Sequence, residues 1–308
     1  MLANFLNKSK PINFIVFLIF FFIGFVFSVY TAFFTNNFLF DNLLKSGAIL
    51  LFFLIIFFLF NFINSKNKLT FDNSYAYFLF TGLIVMILPE LIGYKTLILS
   101  VIYLLFLRKI YSLHTAKRIL EKLFDSGFWL GVFFILEPLS ALLFILVYVA
   151  IYVHNKITIH TLLAPIIGFL APLLVYFAYF FWFDKIDEFT DLFNFNINFD
   201  VQFYSKIKYL WILYSTLIFA VFAIFLKSIN TLSVNNKFKR SWILLIYNFF
   251  VIILFLMFLP EKNGSELIFI LFPTAIILAN GIELIQKNIF KNMVLYFFLV
   301  SSIVCFLL

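Results

Sequence analysis

The stretch LEPLSA, Leu136 to Ala141, decides how the most apolar part of this chain is arranged. Glu137 is the only charged residue between Ser126 and Val153, and Pro138 follows it directly. A single helix over 126–153 would hold the carboxylate at the centre of an apolar layer, at a cost of ~2.5–3.5 kcal/mol in a membrane. Two helices that meet at Glu137-Pro138 return the charge to the surface and place proline where a helix can begin.

The composition of the whole chain indicates that its solvent is lipid. Hydrophobic residues make up 65% of 308 positions and charged residues only 12%. A soluble domain could not hide so much apolar surface, and only helices or closed barrels satisfy the backbone within a bilayer. The first apolar run follows Lys8 and Lys10 and lacks a small-residue cleavage site, so we interpret it as a retained helix. The sequence therefore predicts one all-α integral membrane domain over residues 1–308.

The apolar runs predict a polytopic bundle of about eleven helices, since a crossing needs about 20 apolar residues. Two of these crossings lie within 126–153. The alternative of a shallow re-entrant hairpin at 126–153 would leave every later loop on the same side of the membrane. The other predicted crossings are 12–30, 43–63, 74–89, 95–107, 161–183, 208–227, 241–260, 265–283 and 291–308.

Loop charge supports the two-helix arrangement of 126–153. It places sixteen of the 22 lysines and arginines on one side, together with four of the 14 acids. Short cytoplasmic loops collect Lys and Arg, so we predict a bacterial inner-membrane protein with the N-terminus inside and the C-terminus outside. A single helix at 126–153 would instead turn the basic loop 227–240 outward.

Three carboxylates lie at the tips of the first three predicted external hairpins: Asp41, Glu90 and Glu137. Glu90 and Glu137 each adjoin a proline at a helix end, which restricts the backbone around them. Carboxylates gathered at one membrane face can act as a general base, as metal ligands, or as part of a cation or proton path, so these three are the candidate catalytic residues. The alternative is that they are solvated charges at helix ends.

The predicted cytoplasmic segment 108–125 is basic and has helical apolar spacing. Its basic side chains would lie among the lipid headgroups and attract anionic lipid, so the segment could bind a lipid phosphate or a cytoplasmic partner. Simple anchoring by positive charge is the alternative. The candidate residues are Arg108, Lys109, Lys117, Arg118 and Lys122.

The longest predicted external loop, 184–207, contains FNFNINFDVQF, Phe193 to Phe203. Apolar and polar residues alternate without a break, which is typical of a β-strand. Such a strand needs a cover, which could be the membrane surface, another loop of the chain, or the edge of a partner protein's sheet. An irregular loop whose aromatic side chains enter the interface is the alternative. Candidate docking residues are Phe193, Phe195, Phe199 and Phe203.

Several other classes of site lack support in the sequence. One cysteine and three histidines leave little for a metal site, and we predict none. No Walker loop, GxSxG, HExxH or CxxC motif indicates a cofactor or a nucleophile. Nucleic acid is an unsuitable partner because the basic residues are spread over separate membrane-flanking segments.

Three stretches carry a resemblance to a known family: NFLNKSKPINFIVFL at 4–18, NSKNKLTFDNSYAYFLF at 64–80 and KRILEKLFDSGFWLGVFFI at 117–135. With them the chain resembles an uncharacterised polytopic inner-membrane family of Bacteroidota, and this resemblance implies no activity. In plan, the chain is also similar to the GT-C superfamily of transferases that use polyprenyl-phosphate sugars. That likeness implies a catalytic acid at Asp41 and a further one at Glu90. The chain departs from the GT-C pattern in its short first external loop and in the absence of a large periplasmic domain.

We therefore expect a GT-C-like transferase, or a related handler of lipid-linked glycans, that acts at the periplasmic face. A non-catalytic component of an envelope complex, docked through 184–207, is the second hypothesis. A transporter is the third, because ionisable residues deep within the predicted helices are scarce. Membrane lipids are expected partners in every case.

Overall fold

The computed structural model describes residues 1–34, 40–195, 197–199, 202–231 and 236–308. Across these ranges the chain is helical and contains no β-strand. In chain order the α-helices are α1 Leu2–Leu6, α2 Pro11–Phe33, α3 Phe40–Asn67, α4 Tyr75–Met86, α5 Tyr94–Tyr111, α6 Ile119–Leu136, α7 Phe144–Val153, α8 Ile159–Trp182, α9 Ile186–Thr190, α10 Ile207–Thr231, α11 Asn236–Phe258, α12 Ile268–Leu284 and α13 Asn288–Leu307.

Eight helical stretches of the described chain are long and apolar enough to cross a membrane. They correspond to α2, α3, α5, α8, α10, α11, α12 and α13, so the chain is a multi-pass membrane protein whose helices contact lipid. The predicted count of about eleven also requires α4, α6 and the turn-plus-helix Pro138–Val153. α4 and Pro138–Val153 are shorter apolar helices, and α6 contains Glu121, Lys122 and Asp125.

The chain forms two compact units. The first unit comprises Met1–Leu97, Val201–Asn235 and Lys262–Leu308, and the second comprises Ile98–Asp200 and Asn236–Glu261. The core of the first unit is built on α4 and α12. Every residue of α4 is buried, as is α12 from Ile268 to Ile282, because both helices are apolar on all sides. Phe60 of α3 stacks on Phe80 of α4 with ring centroids 3.8 Å apart.

In the second unit α6 and α8 touch through glycines. A Cβ on Gly127 would lie 2.0 Å from the carbonyl oxygen of Pro165, and one on Gly131 would lie 2.5 Å from that of Phe169. Small residues let membrane helices approach to backbone contact in this way. Because the contacts advance from 127 to 131 as they advance from 165 to 169, α6 and α8 run in the same direction.

The helix breaks at the position predicted from LEPLSA. α6 ends at Leu136, Glu137 is extended with φ −147° and ψ 94°, and a 3₁₀ turn covers Pro138–Leu143 before α7. Since α6 and α8 are parallel, the chain between them returns to the end of the unit at which α6 began. The single-helix alternative for 126–153 is therefore excluded.

The strand predicted at 193–203 is wrong for the residues that the structure describes. Asp191–Phe193 and Gln202–Ser205 are 3₁₀ turns, and residues 194, 195 and 197–199 belong to no regular element. An isolated strand has no partner for its backbone groups, so alternation alone does not produce one. Asn196, Asp200 and Val201 lie outside the described residues.

The basic segment 108–125 is divided among three elements. α5 ends at Tyr111, a 3₁₀ turn covers Ser112–Thr115, and α6 begins at Ile119. Ala116 and Arg118 have left-handed backbone conformations, with φ 52° and 50°, which interrupt the helix. The apolar spacing of the segment therefore belongs to two separate helices.

Candidate functional site

A polar cluster in the first unit surrounds Glu90. This residue lies in the 3₁₀ turn Leu88–Leu91, where Pro89 prevents α4 from continuing. Its Oε1 atom accepts hydrogen bonds from the Lys208 ammonium at 2.9 Å and from the Tyr209 hydroxyl at 3.0 Å. The Lys208 and Glu90 side chains are only 12% and 15% exposed. The first turn of α10 thus supplies both partners of a largely buried carboxylate.

The second carboxylate oxygen of Glu90 is different from the first. Oε2 is buried and has no hydrogen-bond partner among the described residues. A buried polar atom usually has a partner, because leaving it without one costs about 1–3 kcal/mol, and more for a charged group. Glu90 therefore has one buried oxygen whose capacity to accept a proton or a hydrogen bond is unused.

A second carboxylate, Glu266, lies beside Tyr204 and Tyr209. It is 5% exposed and stands in a 3₁₀ turn immediately before α12. It accepts a hydrogen bond from the Tyr204 hydroxyl at 2.5 Å and another from the Asn263 amide at 3.2 Å. The turn needs Gly264, whose φ is 89° and where a Cβ would lie 2.7 Å from the Tyr209 hydroxyl.

The electrostatics of the cluster keep the Tyr204 phenol protonated. Burial raises the pKa of Tyr204 above its ordinary value of 10.0, and the neighbouring Glu266 carboxylate raises it further. The phenol can therefore donate to Glu266 throughout the physiological range. Lys206 adds a second cation, whose ammonium lies 4.7 Å above the Phe203 ring. Two carboxylates, two phenols and two lysines form what we call the Glu90 cluster: Glu90, Glu266, Tyr204, Tyr209, Lys206 and Lys208.

The chemistry available to the Glu90 cluster is proton transfer and the binding of a charged group. A carboxylate with a free oxygen can act as a general base, and a neighbouring ammonium can bind a phosphate. Within the described residues, no group of three His, Cys, Asp or Glu side chains comes together that could hold a metal ion.

The other two candidate catalytic acids occupy different surroundings. Asp41 is exposed in the first turn of α3. The Tyr94 hydroxyl bonds the Lys45 carbonyl at 3.2 Å, which places the start of α3 beside the start of α5, a few residues beyond Glu90. Glu137 caps the end of α6 in the second unit, where its amide bonds the Phe133 carbonyl. A site shared by all three acids remains a prediction.

Several of the candidate lipid-binding cations interact with the protein itself. Lys109 is 2.5 Å from Asp125, and Lys122 donates to the Ser112 carbonyl at 2.7 Å. Arg118 lies 3.7 Å from Glu121. Arg108 and Lys117 are exposed, and headgroup binding by the set remains a prediction.

The candidate docking residues are largely exposed. Phe193, Phe195 and Phe199 are 49%, 48% and 65% exposed. The first two contact Phe134 and the third contacts Phe258 at a centroid distance of 5.3 Å. Phe203 instead packs on Tyr209 within the Glu90 cluster.

Sequence reasoning missed Lys208, Tyr209, Tyr204 and Glu266. Their partners are distant in the chain: Glu90 is 119 residues from Tyr209, and Tyr204 is 62 residues from Glu266. The sequence did contain a local signal for Glu266. This acid lies two residues after Gly264 and immediately before an apolar helix. That pattern marks a turn that holds a carboxylate at a helix start.

Comparison with known proteins assigns a family to the chain and no activity. The model of a family described as "Family of unknown function (DUF6427)" matches residues 1–308. No curated protein matches, and no solved structure matches.

Proposed function

The chain belongs to this DUF6427 family of unknown function, and we propose that it is a multi-pass membrane transferase that handles a lipid-linked glycan. The observation that carries the proposal is the buried Glu90 carboxylate, with one oxygen free and Lys208 at 2.9 Å from the other. The partition of basic residues supports a position of this cluster at the external face of a bacterial inner membrane. The plan-level resemblance to GT-C transferases supports the same face.

In the proposed reaction Glu90 is the general base. An acceptor hydroxyl gives its proton to the free Glu90 oxygen, and the hydroxyl oxygen attacks the anomeric carbon of the donor sugar. The bond from that carbon to the phosphate oxygen breaks, and the polyprenyl phosphate leaves with the electron pair. As Glu90 becomes neutral, Lys208 is released to bind the leaving phosphate, and Lys206 can assist.

Mass spectrometry of lipids extracted from the purified full-length protein tests the proposal. We expect enrichment of a polyprenyl-phosphate species in the wild type, its sugar-loaded form in Glu90→Gln, and loss of both in Lys208→Met. Asp187→Asn is the matched control, because Asp187 is an exposed acid outside the cluster. If the wild type holds polyprenyl phosphates only in the proportion found in the whole membrane, the proposal is wrong.

A non-catalytic envelope component is the second candidate. It is favoured by the exposed aromatic side chains of Phe193, Phe195 and Phe199, which are apolar surface at the predicted external face. Changing all three to serine should then abolish co-purification of the envelope partner without altering lipid content. A transporter, the third candidate, would be indicated by flux of a solute into vesicles that contain only this protein.

A further inference from the structure

We propose that a cleft between α6 and α8 binds a phospholipid whose headgroup is zwitterionic and carries a primary ammonium, as phosphoethanolamine does. The cleft belongs wholly to the second unit. The proposal does not depend on the Glu90 cluster, so it can fail or succeed without reference to the proposed function.

The cleft has the shape and lining of a site for an amphiphile. Its volume is about 520 Å³, which is within the range of small-molecule sites. One part of the lining is apolar and the other is polar. The apolar residues are Leu120, Phe124, Leu163, Ala164 and Ile167, and the polar residues are Glu121, Asp125 and His160.

The close approach of α6 and α8 fixes the cleft in place. A Cβ on Gly168 would lie 2.1 Å from the carbonyl oxygen of Phe124, so the two backbones are in contact beside the cleft. Because the helices are parallel, the first turns of both contribute to the same end. Glu121 and His160 therefore lie together there, while the apolar lining continues along both helices.

The apolar wall needs a hydrocarbon cover. Leu120, Leu163 and Ile167 are 48%, 47% and 57% exposed, on helices of a membrane-spanning chain. Within a membrane such surface is covered by hydrocarbon. An acyl chain of the bound lipid can lie along α6 and α8 and supply that cover.

Charge complementarity selects the headgroup. Arg118 and Glu121 are 3.7 Å apart, and their side chains are 79% and 67% exposed. Their ion pair is therefore weak, and a ligand that pairs with both side chains can replace it. A phosphate on Arg118 and an ammonium on Glu121 would replace this pair with two new ones. An anionic headgroup would satisfy Arg118 but repel Glu121, whereas the charge of Asp125 is already paired with Lys109. A quaternary ammonium has no N–H to donate to Glu121, so a primary ammonium fits better.

Native mass spectrometry of the delipidated full-length protein tests the proposal, with phosphatidylethanolamine, phosphatidylcholine and phosphatidylglycerol of identical acyl chains as probes. We expect wild type to retain the ethanolamine lipid preferentially. Glu121→Gln should reduce that preference by a factor of up to about five, the upper limit expected for an exposed ion pair. Ala164→Trp, which fills the cleft, should abolish retention of all three lipids at this site.

Ala171→Trp is the matched control for Ala164→Trp. Ala171 lies two turns further along the same face of α8, is also partly buried, and does not line the cleft. Equal retention of the three lipids by wild type would overturn the headgroup assignment. Unchanged retention in Ala164→Trp would overturn the site. If Ala164→Trp does not fold, Glu121→Gln decides alone, because Glu121 is exposed and its loss leaves the helix packing intact.

Discussion

The ammonium nitrogen of Lys227 lies 3.2 Å from one carboxylate oxygen of Glu283, and each side chain is 5% exposed. The other oxygen of Glu283 accepts hydrogen bonds from the Phe71 amide at 2.9 Å and from Asn73 at 2.7 Å. The Lys227 ammonium also lies 5.0 Å from the centre of the Phe71 ring. These contacts fasten the connection between α3 and α4 to α10 and α12. Both charged side chains of the pair therefore have their partners within the first unit.

Breaking this pair from one side should destabilise the protein strongly. Lys227→Met or Glu283→Met leaves one charge buried without its partner, at a cost of about 3–5 kcal/mol. The double variant removes both charges and should recover part of that loss. Thermal unfolding of the purified variants measures the coupling. A double variant whose loss equals the sum of the two single losses would contradict the coupling.

In the Glu90 cluster the lysine should matter more for stability than the tyrosine. Tyr209→Phe removes one hydrogen bond to Glu90, which is worth about 1 kcal/mol. Lys208→Met leaves the carboxylate buried without its cation, so its loss should be several times larger. The double variant Lys208→Met/Glu90→Gln is the control and should regain stability over Lys208→Met. Equal melting temperatures for Tyr209→Phe and Lys208→Met would contradict this account of the cluster.

The fold class and the break at Glu137-Pro138 could be predicted because they depend on local properties. Apolar run length identifies a membrane helix, and a carboxylate followed by proline marks a helix end. The sequence predicted Glu90 as a site residue but did not predict the rest of the Glu90 cluster. Lys208 and Glu266 are distant from Glu90 in the chain, and only the packing of the helices brings them close to Glu90 and its neighbours. The strand at 193–203 failed for a related reason. Alternation shows which side chains would share one face of a strand. A strand forms only where a neighbouring strand is present to pair with its backbone.

The contact between α6 and α8 should tolerate no side chain at Gly127. Gly127→Ala places a Cβ 2.0 Å from the Pro165 carbonyl oxygen, so the helices must separate and the melting temperature should fall by several degrees. Gly47→Ala in α3 is the matched control, because no atom lies within 4 Å of its new Cβ. The control should be neutral or slightly stabilising. Equal effects of the two changes would contradict the observed helix contact.

His154 should make the protein less stable in acid. Burial lowers its pKa from 6.5 to about 4, and nearby positive groups add to this effect. Those groups are Arg240, His114, Lys156 and Lys122. Between pH 6.5 and about 4 the unfolded chain binds a proton at this residue that the folded chain does not bind. Stability must therefore fall as the pH is lowered through that window.

The His154 contribution can be isolated with His154→Gln, which keeps a polar side chain that does not titrate. The difference in melting temperature between about pH 7.5 and about pH 5 should be smaller in this variant than in wild type. His160→Gln is the control, because His160 is exposed. If wild type and His154→Gln show the same acid sensitivity, other groups dominate it.

Reporter fusions test two things independently: whether α6 and α8 run in the same direction, and on which side of the membrane each end of the chain lies. Because α6 and α8 are parallel, fusions after Lys122 and after Lys156, which lie near their starts, should report the same side. Loop charge predicts that this side is the cytoplasm. A fusion after Arg240 should also report the cytoplasm, and a fusion after Asn196 should report the periplasm. Opposite signals at Lys122 and Lys156 would contradict the parallel packing and restore a single crossing at 126–153. Matching periplasmic signals at both would reverse only the orientation, and the Glu90 cluster would then face the cytoplasm.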